Sequence, residues 1–395
     1  MPPPGLGESP GNARSDLNIL HFGRFYPRNF GGLERHVGTL LDCLKQRMQV
    51  TNIVANETCE SEVVHKDGYD IYKMASLGVV AGTALCPTMP CRARKLCASV
   101  GCDIAHLHFP DPMSHLAYHF LPAGTKLVIS WHSDIIRQKR LLSLYQPFLN
   151  HIVARADAII AATPKHFSSS TQMGACRDSG KKFVVPYGID FQGLEETAST
   201  LEGAGNLRRK YAGKKIIFAL GRHVYYKGFD YLIRAMQAVT DDAVLVLGGS
   251  GPKTAELKGL VANLSLAGRV FFLGRIPEDE LPHYYHACDL FCLPSIEQSE
   301  AFGIVQVEAM ACGKPVVCCE LNNGVTYVNQ AGVTGLAVPP RDPQALAGAL
   351  NDLLADKRKR LAYGQAANAR VHREFTLSNA AEGTVAVYRA VLGQV

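Results

Sequence analysis

Short apolar segments alternate with polar or helix-patterned segments along most of this chain. Residues 17–22 have the composition of a β-strand that ends at Gly23, and a loop with Gly31 and Gly32 follows. The next apolar residues recur at helical spacing, at Val37, Leu40, Leu41 and Leu44. This segment therefore predicts a strand, a glycine-containing loop and a helix.

The same alternation recurs in both halves of the chain. Further strands are predicted at residues 103–108, 126–130, 158–161 and 182–185, and then, after a polar segment, at 215–220, 243–247, 269–273, 289–293 and 315–319. Strands that alternate with helices form parallel sheets covered on both faces. We therefore predict an α/β fold with two doubly wound, Rossmann-like domains that face a cleft, and ligands that bind beyond the carboxyl ends of the strands.

Charge and composition indicate a globular protein with anionic ligands. The 41 Lys and Arg residues exceed the 35 Asp and Glu residues by only six, which is too few for a dedicated nucleic-acid-binding protein. The sequence has neither a membrane-spanning apolar run nor a signal peptide at its start, so we expect a cytoplasmic protein. The basic clusters at residues 92–95, 137–140 and 357–360 are each typical of a solvated face. If the first two share one surface, they predict a peripheral contact with the anionic inner face of the plasma membrane.

Twelve cysteines are spread over the chain. In the cytoplasm we expect them to be reduced and mostly buried as small apolar side chains. Cys86, Cys91, Cys97 and Cys102 lie close together, but their spacing differs from the paired ligands of structural zinc sites. We therefore predict no metal site.

Residues 295–315 contain two acidic residues around the start of a predicted helix. The helix is expected to begin near Phe302 or Gly303, where free backbone N–H groups favour an oxygen-rich anionic ligand. Glu300 precedes that helix end and Glu308 follows about two turns later, so both carboxylates could accept hydroxyl groups of one elongated ligand. The alternative is structural: Glu300 caps the helix and Glu308 lies on a solvated face.

Residues 220–230 place two cations in a glycine-bounded loop between a strand and a helix. The Arg222 guanidinium can bind two phosphate oxygens at once, and Lys227 adds a compact positive charge. Together they would offset the charge of a diphosphate. The alternative is that both side chains are simply solvated.

Together these motifs resemble the retaining nucleotide-sugar glycosyltransferases of family 4, or group 1, which have the two-domain GT-B fold. The resemblance depends on a Glu-x7-Glu pattern with Phe-Gly inside it at residues 300–308, which follows a Gly-Arg-x4-Lys-Gly pattern at 221–228. It extends to residues 31–37, 131–134, 185–190 and 332–339.

The resemblance implies a role for each matching residue. Arg222 and Lys227 are expected to hold the donor diphosphate and stabilise it as the leaving group. Glu300 is expected to bind donor sugar hydroxyls, Glu308 to bind the nucleotide ribose, and His132 to reach the transferred sugar near the reacting carbon. The other implied donor-binding residues are Gly31 and Gly32 in a phosphate-covering loop, Arg275 and Ile276 at the nucleobase, and Phe302, Gly303 and Ile304 at sugar or phosphate oxygens.

These motifs divide the chain into five parts. We assign residues 1–16 to a flexible N-terminus, 17–190 to an acceptor-binding domain and 191–206 to a linker. Residues 207–375 are assigned to a nucleotide-sugar-binding domain, and 376–395 to a C-terminal helix that packs back on the N-terminal domain.

The predicted activity is retaining transfer of a hexose from a nucleotide sugar to a hydroxyl group of a glycan or lipid-linked acceptor. Residues 320–329 are similar to those of bacterial mannosyl- and rhamnosyltransferases of polysaccharide assembly, which favours GDP-mannose or GDP-rhamnose. No cofactor or metal is expected, because Arg222 and Lys227 would take the place of a metal and no Asp-x-Asp motif stands near a strand end. The alternatives are a UDP-sugar-dependent transferase, a nucleotide-sugar epimerase of the same fold and a non-catalytic sugar-nucleotide sensor.

Two further features concern the N-terminal domain. Tyr187 stands where relatives often have asparagine, and we expect this difference to leave the chemistry unchanged. His106 and His108 point to one face of a predicted strand. They could reach the cleft, although a structural role is the more common one for such histidines.

Overall fold

The computed structural model describes residues 17–25, 32–136 and 138–394, which form two α/β domains. The N-terminal sheet has the order β10-β9-β8-β7-β1-β2-β4-β3, in which β3 runs antiparallel to β4 and the other described pairs are parallel. Its strands are β1 (Asn18–Phe25), β2 (Gln49–Ala55), β3 (Glu62–Lys66), β4 (Tyr69–Met74), β7 (Ile104–Phe109), β8 (Lys126–Trp131), β9 (Ala158–Ala161) and β10 (Lys182–Val184). A separate hairpin is formed by β5 (Val79–Val80) and β6 (Thr83–Ala84).

Helices cover both faces of this sheet. They are α1 (Gly32–Leu44), α2 (Met89–Val100), α3 (Pro112–Tyr118), α4 (Lys139–Arg155) and α5 (Pro164–Ser169). Every residue of β7 is buried: Ala105, Leu107 and Phe109 enter the apolar core on one face of the sheet, and Ile104 enters the core on the other face, where His106 and His108 are also buried. Such continuous burial is typical of a central parallel strand.

The C-terminal domain contains a second parallel sheet, with the order β13-β12-β11-β14-β15-β16. Its strands are β11 (Lys215–Leu220), β12 (Ala243–Gly248), β13 (Val270–Gly274), β14 (Leu290–Leu293), β15 (Val316–Cys319) and β16 (Gly335–Val338). The helices are α6 (Ala198–Lys210), α7 (Phe229–Ala235), α8 (Thr254–Asn263), α9 (Leu281–Ala287), α10 (Ile304–Ala311), α11 (Gly324–Val328), α12 (Pro343–Ala355), α13 (Lys357–Glu374) and α14 (Leu377–Val391).

The last helix returns to the N-terminal domain. Val385 and Tyr388 of α14 are buried in the same apolar cluster as Val37 and Leu41 of α1. The polypeptide crosses between the domains twice, near Ile189 and near Phe375. These two crossings lie side by side, since the backbone N–H of Ile189 donates to the carbonyl oxygen of Phe375 at 2.9 Å. Both domains are thus connected at one edge of the cleft.

The predicted linker is wrong for residues 198–206, which belong to helix α6. Thr197 forms a capping box with Thr200, which satisfies the first backbone N–H groups of the helix. Gly203 allows α6 to pack closely on α9, because a Cβ at that position would lie 2.5 Å from Cγ of His283. The segment has a polar sequence because most of its other side chains face solvent.

The predicted strand at residues 17–22 also ends too early. β1 continues past Gly23 to Phe25, with an irregularity in its pairing with β2. The helices of the described residues are too short or too polar to cross a membrane.

Candidate active site

The loop after β11 holds Lys227 against the end of β14. Lys227 closes a short 3-10 turn, and Gly228 follows with a left-handed φ of 65°. A Cβ on Gly228 would lie 2.1 Å from the carbonyl oxygen of Pro294, so the close approach of the two strand ends requires glycine here. The loop therefore delivers a lysine side chain to the segment that contains Glu300.

Lys227 and Glu300 form an almost fully buried ion pair. Nζ of Lys227 lies 2.5 Å from Oε2 of Glu300, and each side chain is 11% exposed. The Ser295 hydroxyl donates to the same carboxylate oxygen at 2.9 Å, and Nδ2 of Asn323 donates to the Glu300 carbonyl oxygen at 2.6 Å. Glu300 is therefore held by its side chain and its backbone together.

Helix α10 begins next to this pair. Gly303 precedes the helix with a φ of 75°, and a Cβ there would lie 2.6 Å from Cδ2 of Leu293. Ile304 is the first helical residue, so its N–H and that of Val305 lack partners within the helix, whereas the Gln306 N–H donates to the Gly303 carbonyl oxygen at 2.9 Å. Phe302 is buried, and its ring packs on Tyr187 with centroids 4.7 Å apart. The helix start thus offers backbone donors beside a positive side chain, which suits phosphate oxygens.

Glu308 lies on α10 and lines a cavity of about 480 Å³ between the domains. The Tyr285 hydroxyl donates to its Oε2 atom at 2.6 Å. Burial raises the pKa of Glu308, while the hydrogen bond from Tyr285 and the charge of Arg35 act in the opposite direction. A carboxylate in this position can accept hydrogen bonds from vicinal hydroxyl groups.

Arg35 of α1 reaches across the cleft to the C-terminal domain. Its Nη2 atom lies 2.6 Å from Oε1 of Glu278, and both side chains are exposed. Gly32, expected in a phosphate-covering loop, is the first residue of α1, whereas Gly31 lies outside the described residues. The predicted phosphate-covering segment therefore leads into a helix that contacts the C-terminal domain.

Three predicted residues lie at the surface or near it. The side chains of Arg222 and Arg275 are exposed, and neither forms an ion pair with another described residue. Ile276 is half-buried, and its Cδ1 atom would lie 2.7 Å from a Cβ on Gly248. Arg222 is therefore available to a ligand, while Lys227 already has an acidic partner.

His132 is buried below the cleft rather than exposed to it. Its Nδ1 atom lies 2.6 Å from the Tyr187 hydroxyl, and its Nε2 atom lies 2.9 Å from Nδ1 of His108. Burial keeps the pKa of His132 well below 6.5, and the neighbouring His36 and His166 act in the same direction. Both ring nitrogens are thus occupied by protein groups.

Tyr187, which was expected to leave the chemistry unchanged, lies among the predicted site residues. Tyr187 contacts two predicted site residues, because its hydroxyl is bonded to His132 and its ring packs on Phe302. An asparagine side chain is too short to make both contacts.

Several partners of the predicted residues were not predicted from the sequence. Arg35 lies within residues 31–37, which are part of the family resemblance, so the sequence did indicate its region. Asn323 lies within residues 320–329, where the chain departs from many relatives. Ser295 lies within residues 295–315, but its contact with Glu300 was not predicted. Tyr285 and Glu278 carry no local signal, because only the fold brings them to Glu308 and Arg35.

Two family models match this chain. A family model described as glycosyl transferases group 1 matches residues 207–370, and one described as glycosyltransferase family 4 matches residues 30–192. The two matches coincide with the two domains and together span most of the chain.

Among similar sequences is the D-rhamnosyltransferase WbpZ of Pseudomonas aeruginosa, which is 32% identical over 91% of this chain and 92% of its own length. Another is the O-antigen chain mannosyltransferase C of Escherichia coli, 27% identical over 95% of this chain and 99% of its own length.

Solved structures show the same fold. Sucrose-phosphate synthase from Thermosynechococcus elongatus superposes with a TM-score of 0.78 at 22% identity, over 96% of this chain and all of that one. Anabaena HepE in complex with UDP gives 0.76 at 20% identity, over 95% of this chain and all of that one. The chain therefore belongs to the group 1, or family 4, glycosyltransferases, enzymes of the GT-B fold that use nucleotide sugars.

Proposed function

We propose that this protein transfers a mannosyl or rhamnosyl residue from its GDP-linked form to a glycan hydroxyl group, with retention of the anomeric configuration and without a metal ion. The observation that carries the proposal is the buried Lys227–Glu300 pair beside the start of α10. The names of two similar proteins, a mannosyltransferase and a D-rhamnosyltransferase, support mannose or rhamnose as the transferred sugar.

The donor fits along the C-terminal side of the cleft. Its ribose hydroxyls donate to Glu308 in the 480 Å³ cavity, and its diphosphate lies over the N-terminus of α10. Lys227 and the free Arg222 supply the positive charge that a divalent metal provides in other transferases. Glu300 accepts hydroxyl groups of the sugar.

The reaction balances without a protein nucleophile. The bond from the anomeric carbon to the diphosphate oxygen breaks, and a bond to the acceptor oxygen forms on the same face of the sugar. The acceptor proton passes to the departing diphosphate, whose negative charge Lys227 and Arg222 stabilise. Catalysis then depends on electrostatic stabilisation and on positioning.

The acceptor enters through a second cavity of about 640 Å³, which Glu297 and Gln298 line shortly before Glu300 in the chain. A smaller cavity that shares several lining residues with it is also lined by Ala301 and Asn323, beside the Glu300 backbone. Gln298 lines both spaces, so its replacement by tryptophan is expected to block the acceptor. Gln298→Trp should lose transfer while it retains donor binding and slow donor hydrolysis.

The acceptor is proposed to be lipid-linked, and the enzyme to work at an anionic membrane. Leu144 on α4 is 81% exposed beside the exposed Arg140, and the β5–β6 hairpin next to it carries the exposed Val79 and Val80. Nε2 of Gln138 donates to the carbonyl oxygen of Ala81 at 2.9 Å, which holds the hairpin next to the start of α4. Arg137 lies outside the described residues, and Lys139 is the first residue of α4.

A product analysis tests the proposal. The protein is incubated with GDP-mannose, GDP-rhamnose or a UDP-sugar, with and without polysaccharide-derived acceptors and with a chelator present. We expect GDP release that depends on the acceptor, and a glycoside with the anomeric configuration of the donor. An inverted product, a need for added metal or a preference for UDP-sugars would refute the corresponding part.

The rival functions give different products. An epimerase would convert the sugar nucleotide when no acceptor is present. A sensor would bind the donor, stabilise the fold and release no GDP with any acceptor. Donor-dependent stabilisation followed by acceptor-dependent release therefore separates all three.

A further inference from the structure

A chain of buried hydrogen bonds runs through the N-terminal domain from the floor of the cleft to helix α14. We call it the histidine chain, and its side chains are, in order, Tyr187, His132, His108, His21, Tyr388, His106 and Ser130. The six contacts measure 2.6, 2.9, 3.3, 3.1, 2.5 and 2.8 Å along that order. All seven side chains are buried.

Strand register explains why four imidazoles meet. His21 of β1 pairs directly with His106 of β7, and His108 lies two residues further on the same face of β7. His132 follows β8, the next strand of the sheet. The rings stack, with centroids 4.7 Å apart for His106 and His108 and 5.2 Å apart for His108 and His132.

The four rings are neutral at neutral pH. Burial lowers the pKa of His21 to about 3 and holds those of His106, His108 and His132 well below 6.5. The other titratable groups that face them are imidazoles and phenols, since the remaining partners are His36 of α1, His166 of α5, Tyr187 and Tyr388. None of these supplies a negative charge that would favour an imidazolium ion.

Neutral rings in such a chain cannot choose their tautomers independently. A neutral imidazole has one N–H and one acceptor nitrogen, and each nitrogen–nitrogen contact needs one hydrogen. If His132 carries its hydrogen on Nε2, His108 must accept on Nδ1 and donate from Nε2, and His21 must do the same. The Tyr388 hydroxyl then accepts from His21 and donates to His106.

Two arrangements therefore satisfy every contact. Either all four histidines carry hydrogen on Nε2, or all four carry it on Nδ1. A mixture leaves a buried donor or acceptor without a partner, which is costly in an apolar interior.

We propose that His21, His106 and His108 are positioning residues that hold His132 in one tautomer and one orientation beneath the cleft, with the tautomer chosen for all four rings together. His132 is the ring nearest the donor domain, because Tyr187 connects it to Phe302. Any effect on catalysis rests on the proposed glycosyl transfer, whereas the shared tautomer does not.

A metal site is the competing interpretation of the same residues. Ligand atoms of His21, His106 and His108 lie within 4.8 Å of one another. Each of their ring nitrogens already has a partner in the histidine chain, however, so a metal would have to break several of these contacts.

The direct test is NMR of the full protein with ¹⁵N-labelled histidine, in which the two tautomers give different nitrogen shifts and couplings. We expect the four rings to be neutral and to share one tautomer. Mixed tautomers among the four, an imidazolium ion at neutral pH, or stoichiometric zinc in the purified protein would overturn the proposal.

Two variants at opposite ends of the histidine chain test whether the tautomers of the four rings are coupled. Ser130→Ala removes the partner of His106 Nε2, which disfavours hydrogen on Nε2 because an orphaned buried N–H is worse than an orphaned acceptor. Tyr187→Phe removes the partner of His132 Nδ1 and disfavours hydrogen on Nδ1. One of the two variants should therefore reverse the wild-type tautomer in all four rings, including the ring at the far end.

The control is Tyr118→Phe, because Tyr118 is also buried but its hydroxyl lies 3.4 Å from the Thr125 carbonyl oxygen, outside the histidine chain. It should leave all four tautomers unchanged. A change restricted to the ring next to Ser130 or Tyr187 would show that the rings are independent.

An activity measurement separates this proposal from the proposed function. The variant that reverses the tautomer should lower kcat about threefold to tenfold with little change in donor KM. In Ser130→Thr, which keeps a hydroxyl group at this position, the wild-type tautomer and the wild-type activity should return together. An unchanged kcat in the tautomer-reversed protein would remove the positioning role. If the wild-type protein transfers no sugar, the NMR result still decides whether the tautomers are shared.

Discussion

Lys227 and Glu300 lie 2.5 Å apart, although 72 residues separate them along the chain and each belongs to a different predicted motif. The loop after β11 and the segment after β14 meet because these strands are neighbours in the sheet. Carboxyl ends of adjacent parallel strands lie at the same edge, so residues that follow them converge. The pair neutralises Lys227 in the unliganded protein, so a diphosphate would compete with Glu300 for this cation.

Replacement of Lys227 should affect both stability and activity. Lys227→Ala leaves the Glu300 carboxylate buried without its partner, which is expected to cost about 3 kcal/mol in the free energy of unfolding. Loss of a cation at the leaving group should lower kcat/KM by about 100-fold or more. Urea denaturation and GDP release measure the two effects.

Replacement of Arg222 should affect activity but not stability. Arg222→Ala should weaken the stabilisation of the departing GDP about as much as Lys227→Ala does. It should change the free energy of unfolding by less than about 0.5 kcal/mol, because the Arg222 side chain is exposed.

The double variant Lys227→Met with Glu300→Gln is the control for this interpretation. It removes both charges, so it should recover most of the stability lost in Lys227→Ala but none of the activity. If Lys227→Ala unfolds no more easily than the wild type, the ion pair does not stabilise the unliganded protein.

The hydroxyl of Tyr285 should set the pH at which Glu308 binds the donor. Ribose hydroxyls donate to the ionised carboxylate, so donor KM should rise as the pH falls through the raised pKa of Glu308. The hydrogen bond from Tyr285 favours the ionised form, so Tyr285→Phe removes it and should shift this rise in KM to higher pH. The pH dependence of donor KM measures the shift.

Tyr284→Phe provides the matched control, since Tyr284 is the neighbouring residue of α9 and packs on Phe218. It should leave the pH dependence unchanged. A Tyr285→Phe profile that overlays the wild-type profile would mean that Glu308 does not contact the donor in its ionised form.

The sequence predicted most of the central strands, because their continuous apolar segments can be recognised without tertiary information. The predicted strands at residues 158–161 and 215–220 have the bounds of β9 and β11. Some strands were not predicted because they are more polar or shorter than the central strands and are identified mainly by their pairing; these are β2, β3, β4 and β16. Helix α6 escaped because its apolar face is narrow and depends on close contact with α9.

The sequence also indicated the candidate ligand-binding side chains but not the groups that hold them in place. Glu300, Glu308 and Lys227 were found from motifs whose spacing within one segment is fixed. Tyr285 lies in another helix, and its contact with Glu308 depends on the packing of α9 against α10. His106 and His108 were recognised as sharing one strand face, whereas their links to Tyr388 require the return of α14 to the N-terminal sheet.

Membrane binding should depend on the exposed start of α4. Arg140→Glu combined with Leu144→Asp removes a positive charge and an apolar side chain from that surface, so binding to phosphatidylglycerol vesicles should fall about tenfold or more. Vesicle sedimentation measures this loss. Because the attraction is partly electrostatic, wild-type binding should also weaken as salt is added.

A matched pair of substitutions on the other domain is the control. Leu361 is 56% exposed on α13 near the exposed Arg358, so Arg358→Glu with Leu361→Asp makes the same chemical change there. This variant should bind vesicles like the wild type. Equal losses in both variants would indicate nonspecific charge attraction rather than a surface on α4.

Acid should destabilise the protein because buried histidines stay neutral in the folded state. Burial lowers the pKa of His21 and His115 to about 3 and that of His36 to about 4, whereas an unfolded histidine takes up a proton near pH 6.5. Between these values the unfolded chain binds more protons, so stability is greatest above pH 6.5 and falls as the pH decreases. Asp111 has the opposite effect on the pH dependence of stability, since burial raises its pKa to about 6. The buried histidines outnumber it, so the net effect of acid is destabilising.

Urea denaturation at pH 7.5 and pH 5.5 should therefore show a clearly lower midpoint in acid. His115→Gln removes one buried imidazole outside the histidine chain and should reduce the slope of unfolding free energy against pH by up to about 1.4 kcal/mol per unit. Equal midpoints at the two pH values would mean that these rings accept protons without unfolding, which would also remove the neutral state on which the shared tautomer depends.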